Sequence, residues 1–178
     1  MTTETIPGSL FRRARRDGSR TAYHVNRGGS WVSRSWEAYA TEVRQAARAL
    51  IHEGFEPGDN VCILGFNKPE WVIFDIAAIA AGGAAAGIYT TSSPPEVQYI
   101  VDHAEAELIL VENEEQWVKV ESELDRLPRL KRVITMRDSA TIDHEIVVGW
   151  DEFLALGDGV NDGEVERRLD VAEADDVA

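Results

Sequence analysis

Residues 61–89, VCILGFNKPEWVIFDIAAIAAGGAAAGIY, contain the pattern that decides the fold. A short apolar run at 61–66 reads as a buried strand, and 70–81 reads as a helix that is apolar on almost every face. Two glycines end that helix, and a second apolar run follows at 84–89. Because strands without polar alternation are typical of parallel sheets, this stretch predicts a strand–helix–strand unit buried on most sides.

The same alternation continues on both sides of this unit. Upstream, 21–33 reads as a β-hairpin around a glycine turn, followed by a helix that begins at the N-cap Ser35 and ends at Gly54. Downstream, further elements are predicted in the order helix (capped by Ser93), strand 108–112, helix 114–127, strands 132–136 and 146–148, and helix 150–156. The pattern predicts an α/β fold, a mostly parallel sheet flanked by helices with an N-terminal β-hairpin.

Charge and composition divide the chain into three expected parts: a basic N-terminal arm (1–20), an α/β unit (21–156) and an acidic tail (157–178). Nine arginines and four acidic residues up to Arg48 give that segment a charge of +5, whereas the remainder carries −19. The basic segment could bind anions, but we favour the interpretation that the two parts are solvated and pair with each other, or with a region not present in this sequence. The tail shows no periodicity beyond one helical turn.

The overall composition excludes several classes of function. The net charge of −14 disfavours docking on nucleic acid or anionic lipid. The single cysteine, Cys62, cannot form an internal disulfide and rules out Cys₄ and Cys₂His₂ metal sites. No signal peptide is evident, and the longest apolar run, 76–86, is shorter than the ~20 residues that span a bilayer. We therefore expect a cytoplasmic protein without a transmembrane segment.

No assembled catalytic or metal site is evident from the residues alone. Cys62 lies in an apolar strand and reads as a core residue, and the acidic cluster at 112–123 reads as a solvated helix face. The glycines match no phosphate-binding pattern. The four histidines are too far apart in sequence to suggest a metal site: His24, His52, His103 and His144. One hydroxyl-rich loop, 90–94, follows a strand where ligands bind in α/β sheets. The alternative, a simple cap of the next helix, is favoured.

Several motifs between Ser35 and Pro128 resemble the N-terminal part of adenylate-forming acyl-CoA synthetases. They are W-x-x-Y at 36–39, G-x-x-P-G-D-x-V at 54–61 and N-x-P-E-W at 67–71. The variants GFNKPEW and GIYTTSSP look most like the long-chain fatty acid branch. The resemblance extends over roughly residues 20 to 178 and implies a partial N-terminal subdomain of the AMP-binding domain.

The resemblance implies a two-step reaction for the full-length family. A fatty acid reacts with ATP and Mg²⁺ to give an acyl-adenylate and pyrophosphate, and CoA then displaces AMP to give the thioester. In relatives a D-D-V-A segment precedes a glycine- and threonine-rich phosphate loop similar to Y-T-S-G-T-T-G-x-P-K. Here the corresponding residues, 175–178, are the last in the sequence. No catalytic, cofactor-binding or metal-binding residue of the family can therefore be placed on this chain.

Two interpretations follow from this resemblance. The favoured one is the N-terminal portion of a long-chain fatty acid–CoA ligase, inactive by itself and binding neither ATP, Mg²⁺ nor CoA alone. The alternative is a non-catalytic α/β binding module, or one half of a split synthetase whose partner is the remaining half. In the favoured interpretation this portion supplies at most part of a wall near the acyl or CoA channel, with Tyr89, Thr90, Thr91 and Ser92 as its candidate residues.

Overall fold

The chain forms one parallel sheet and one separate antiparallel hairpin. The computed structural model describes residues 5–171. The strands are β1 (Thr21–Arg27), β2 (Ser30–Ser35), β3 (Asn60–Leu64), β4 (Ala84–Ile88), β5 (Leu108–Val111), β6 (Arg132–Thr135) and β7 (Val147–Gly149). β1 and β2 form the hairpin, and the other five are parallel in the order β4-β3-β5-β6-β7. The predicted parallel sheet and hairpin are confirmed.

Helices cover both faces of the parallel sheet. They are α1 (Ile6–Asp17), α2 (Trp36–His52), α3 (Pro69–Ala80), α4 (Pro94–His103), α5 (Glu114–Glu121), α6 (Trp150–Leu156) and α7 (Asp162–Val171). One core lies between the sheet and α1, α2, α3, α6 and α7, and a second lies between the sheet and α4 and α5. Among the described residues, none of these helices combines the length and apolarity needed to cross a bilayer.

The predicted helix boundaries rest on local capping chemistry. Ser35 begins α2, and its Oγ accepts a hydrogen bond of 3.1 Å from the Ala38 N–H. Gly54 and Gly82 follow α2 and α3 with φ of +90° and +96°, which a side chain would strain. At Gly83 the N–H donates to the Ala78 carbonyl at 3.0 Å, completing the cap of α3. These local signals are the reason that the strand–helix–strand unit can be predicted from its own sequence.

The two ends of the described chain contain more helix than the sequence predicts. α1 lies within the expected basic arm and buries Leu10 and Phe11, which are 6% and 5% exposed. The expectation of no helix longer than one turn in the tail is wrong, because α7 runs for 10 residues. Tertiary contacts explain α7, since it buries Val165 and Arg168. The D-D-V-A segment at 175–178, which the sequence analysis compares with the family motif, lies outside the described residues.

The helix predicted over 114–127 is shorter than expected. α5 ends at Glu121, and a separate 3₁₀ turn follows at Leu124–Arg126. The Ser122 hydroxyl donates to the Lys119 carbonyl at 3.0 Å, a local side-chain bond that competes with continued helix.

Cys62 is a core residue, as predicted. It lies at the centre of β3 with no exposed surface and forms no disulfide. Burial raises the pKa of its thiol to about 12, so the side chain stays protonated and behaves as a small apolar group.

The expected pairing between the basic and acidic parts is confirmed for two arginines of α2. Arg44 lies 3.3 Å from Glu166, and Arg48 lies 3.0 Å from Asp162. Both carboxylates belong to α7, so these ion pairs hold that helix against α2.

Candidate functional site

The strand order creates one crevice at the carboxyl edge of the sheet. From β3 the chain passes through α3 on one face to reach β4, whereas from β5 it passes through α5 on the opposite face to reach β6. The loops after the adjacent strands β3 and β5 therefore leave the sheet in opposite directions. Ligands bind at such a switch point in open α/β sheets, so this crevice is a candidate site.

A buried carboxylate, Glu112, connects the two loops at this crevice. Its side chain follows β5 and is only 8% exposed as a residue. One oxygen accepts a hydrogen bond of 3.0 Å from the Phe66 N–H, and the other lies 3.1 Å from Lys68 Nζ. The prediction that 112–123 is a solvated helix face is wrong for Glu112, because the residue follows a buried strand and is itself buried.

Gly65 permits this close approach of the strand ends. A Cβ at this position would lie 2.8 Å from Met136 Cε and 2.9 Å from Glu112 Cβ. Any larger residue would push the end of β3 away from its neighbours. The contact between Glu112, Phe66 and Lys68 therefore depends on the glycine.

We expect Glu112→Ala to lower the free energy of unfolding by about 2 kcal/mol, because it removes the acceptor of the Phe66 N–H and the partner of Lys68. Urea unfolding measures the loss, and hydrogen exchange at the Phe66 amide should accelerate with it. Glu121→Ala is the control, because Glu121 is exposed at the end of α5. Equal stability of the two variants would contradict a structural role for Glu112.

The predicted pocket residues lie next to this crevice, after β4 on the other side of β3. Tyr89 is 84% exposed. The Thr90 carbonyl accepts a hydrogen bond of 2.5 Å from Lys119 Nζ, which fixes the loop backbone. The hydroxyls of Thr90, Thr91 and Ser92 make no hydrogen bond to any residue that the structure describes. Their side chains are available to a ligand or to another part of the protein.

The predicted cap of the next helix, Ser93, is confirmed. The Ser93 N–H and hydroxyl both donate to the Glu96 carboxylate, at 2.7 and 2.8 Å. The backbone and side-chain bonds from Ser93 lower the pKa of Glu96. Ser93 alone therefore accounts for the cap, and the loop before it is not required for that purpose.

A second polar cluster lies beyond β6 and β7, beside a cavity of about 630 Å³. Its centre is Arg137, which pairs with Glu42, with Glu70 at 3.4 Å and with Asp151 at 2.8 Å. The Trp150 indole N–H donates to the same Glu42 carboxylate at 2.9 Å. The cluster connects α2, α3 and α6, and Arg27 of β1 also approaches the Glu70 carboxylate at 3.8 Å. No sequence motif joins these residues, because they come from distant elements.

A metal-binding cluster and a phosphate-binding glycine pattern are both absent from residues 5–171. Within 5–171, no three His, Cys, Asp or Glu side chains are arranged to hold a metal. The one glycine pair outside the hairpin, Gly82 and Gly83, lies at the amino end of β4, before a strand and not before a helix N-terminus that could bind phosphate. No contact to ATP or Mg²⁺ is assigned to these residues.

The fold places the chain in the class of open, doubly wound parallel α/β proteins. Residues 10–178 match the family described as AMP-binding enzyme. The chain belongs to that family. Its predicted resemblance to adenylate-forming acyl-CoA synthetases is therefore confirmed.

Relatives in this family include long-chain-fatty-acid–CoA ligases. The chain is 37% identical over 150 residues to the ACSBG2 ligase of Xenopus laevis, which covers 84% of this chain and 20% of that protein. It is 34% identical over 178 residues to the human ACSBG2 ligase, covering 99% of this chain and 27% of that protein. The chain thus spans about a fifth to a quarter of the length of these relatives.

Solved structures show the same fold at lower identity. An anthranilate CoA ligase, AuaEII, in complex with anthranoyl-AMP superposes with a TM-score of 0.74 at 22% identity, covering 87% of this chain and 28% of that one. A putative long-chain-fatty-acid CoA ligase from Rhodopseudomonas palustris gives a TM-score of 0.72 at 18% identity, covering 85% and 36%. At these identities the comparison supports the fold alone.

Proposed function

We propose that this chain is the N-terminal portion of a long-chain fatty acid–CoA ligase, which joins a fatty acid to CoA with ATP and Mg²⁺ in the cytoplasm. The observation that carries the proposal is the identity of 37% and 34% to two such ligases over most of this chain. The motifs at 36–39, 54–61 and 67–71 and the long-chain variants around them support the same assignment. Fatty acid and CoA are then substrates of the complete enzyme.

This portion would act as scaffold and pocket wall. The carboxyl edge of β3 and β4 presents two large exposed apolar side chains, Phe66 at 67% and Tyr89 at 84%. Thr90, Thr91 and Ser92 follow directly, with hydroxyls that no described residue binds. We expect the remainder of the ligase to cover this edge and the acyl chain or CoA to contact Tyr89–Ser92.

The chain alone should form no acyl-adenylate, because its sequence holds no glycine- and threonine-rich phosphate loop. Purified protein with ATP, Mg²⁺ and palmitate should release no pyrophosphate above a buffer blank. A second experiment uses a chimera in which this chain replaces the matching segment of the human ACSBG2 ligase. That chimera should form palmitoyl-CoA.

Each of these two experiments has a result that would contradict the proposal. Pyrophosphate release by the isolated chain would contradict the prediction that it forms no acyl-adenylate. A chimera that is folded, as shown by a single thermal transition and gel filtration, but forms no acyl-CoA would contradict the ligase assignment. Chimeras that carry alanine at 89–92 would then test the pocket wall through the KM for palmitate or CoA.

A further inference from the structure

One lysine of α5 is paired differently from the other lysines of the chain. The sequence contains three lysines, and two of them, Lys68 and Lys131, form ion pairs with carboxylates. The third, Lys119, has no carboxylate within 4 Å of its Nζ among residues 5–171. Its ammonium donates instead to the backbone carbonyl of Thr90, at 2.5 Å. The contact thus joins α5 to the loop after β4.

The sequence offers Lys119 a nearer partner that it does not use. Glu115 precedes it by four residues on α5, which is the favoured spacing for an ion pair on a helix. A lysine in the last turn of α5 is also well placed for the helix dipole. The side chain is nevertheless half-buried and reaches a carbonyl 29 residues away along the chain. The stability of α5 alone therefore does not explain the contact with Thr90.

The bond from Lys119 fixes a loop that is otherwise held only by its own residues. β3 lies between β4 and β5 in the sheet, so the bond connects segments on either side of β3. Inside the loop, the Ser92 N–H donates to the Tyr89 carbonyl at 2.9 Å, and Ser93 caps α4. Within the part of the chain that the structure describes, no other hydrogen bond joins 90–92 to a distant element. Without Lys119, the loop would keep its turn and its cap but would lose its attachment to α5.

We propose that Lys119 is a positioning residue of the pocket wall: its ammonium holds the Thr90 backbone, and with it Tyr89–Ser92, in the conformation that meets a substrate of the ligase. This rests on the proposed function, in which that segment contacts the acyl chain or CoA. The backbone of the segment is fixed while its hydroxyls have no partner among the described residues. Binding to a segment that is already ordered costs less conformational entropy than ordering it at that moment.

A charged donor suits this role better than a neutral one. Hydrogen bonds from an ionised donor are about twice as strong as those between neutral groups. Half-burial of the Lys119 ammonium adds to the difference, because a hydrogen bond is electrostatically stronger away from water. Arginine at this position can still donate to the Thr90 carbonyl with a charged group. Methionine keeps an unbranched stem but donates nothing, so the two substitutions separate the charge from the packing of the stem.

Hydrogen exchange on the isolated chain tests whether Lys119 holds the loop, without any substrate. In Lys119→Met, exchange at the Ser92 amide should accelerate about tenfold while the amides of β3 keep their rates, because the loop alone is released. Lys131→Met is the matched control, since Lys131 pairs with Glu107 before the start of β6. It should leave exchange at Ser92 within about twofold of the parent. Unchanged exchange at Ser92, or an equal rise throughout the chain, would overturn the proposal.

The chimera with the human ACSBG2 ligase tests the role in substrate binding. There Lys119→Met should raise about tenfold the same KM, for palmitate or for CoA, that alanine at 89–92 raises. The kcat should stay within about twofold, because the proposed function gives this chain no reacting group. Lys119→Arg should recover most of the loss, and Lys131→Met should leave both KM values unchanged. A merely structural role would lower the Tm without this division between KM and kcat.

The outcomes separate this proposal from the assignment on which it rests. If alanine at 89–92 raises a KM and Lys119→Met raises neither, the pocket wall stands and Lys119 does not position it. If neither change affects a KM while the chimera forms palmitoyl-CoA, the ligase assignment stands, but the pocket wall and the role of Lys119 are both wrong. A folded chimera without activity would contradict the ligase assignment and this proposal with it. Thermal unfolding shows that each variant is folded. Should Lys119→Met not fold, Lys119→Gln removes the charge and takes its place with the same expected results.

Discussion

An Arg168→Met variant is expected to unfold with a free energy about 3 kcal/mol lower than that of the parent chain. Arg168 is 7% exposed. Its side chain extends from α7 to two backbone carbonyls, one after α2 and one at the end of α3. Its Nη1 donates to the Phe55 carbonyl at 2.7 Å and to the Ala81 carbonyl at 2.9 Å. Methionine keeps much of the volume but leaves both acceptors without their charged donor.

The position of these carbonyls adds to the expected loss. Ala81 is the C-cap of α3, where the helix dipole favours a positive charge. Glu164 also loses its contact with Arg168 Nε at 3.0 Å. Because the Arg168 bonds connect α7 to the segments that follow α2 and α3, its amides should exchange faster in the variant.

Thermal unfolding followed by circular dichroism measures the effect, with an expected fall in Tm of about 6–12 °C. The neighbouring Arg167→Met is the matched control. Arg167 is 72% exposed and pairs with Glu164 alone, so its replacement should change the free energy of unfolding by less than about 0.5 kcal/mol. A similar Tm for the two variants would show that the buried bonds of Arg168 do not hold α7 in place.

The core of the fold is predictable because its signals are local. The runs at 61–66 and 84–89, the helix between them and the glycine cap at Gly82 each follow from a few neighbouring residues. The same is true of the hairpin turn, where Gly28 and Gly29 have φ of +56° and +84°. α7 is different, since Arg168 reaches carbonyls 113 and 87 residues earlier in the chain. The periodicity of the tail sequence therefore cannot predict these contacts, which stabilise α7.

The candidate site was only partly predictable for the same reason. The hydroxyl loop at 90–92 could be placed at a carboxyl edge from the strand that precedes it. The crevice between β3 and β5 could not, because it depends on β5 pairing with β3 and not with β4. The sequence therefore predicted Glu112 as part of a solvated acidic cluster, although its carboxylate contacts Phe66 and Lys68 in the neighbouring loop.

Gly83→Ala is the second substitution with a large expected effect, a loss of about 3 kcal/mol in the free energy of unfolding. A Cβ at this buried position would lie 2.1 Å from the Asp59 carbonyl oxygen and 2.4 Å from the Phe55 ring. The ring could turn aside, but the carbonyl belongs to the backbone and accepts the Ala84 N–H at 3.1 Å. Relief of the clash must therefore separate the segments that lead into β3 and β4.

The matched substitution is Gly159→Ala, where no atom lies within 4 Å of the added methyl group. Urea unfolding should place this control within about 0.5 kcal/mol of the parent, while Gly83→Ala unfolds at a much lower urea concentration. Adding Phe55→Leu to Gly83→Ala should restore little, because the carbonyl clash persists after the ring is removed. Full recovery in that double variant would identify the ring, and not the backbone, as the reason that glycine is required between α3 and β4.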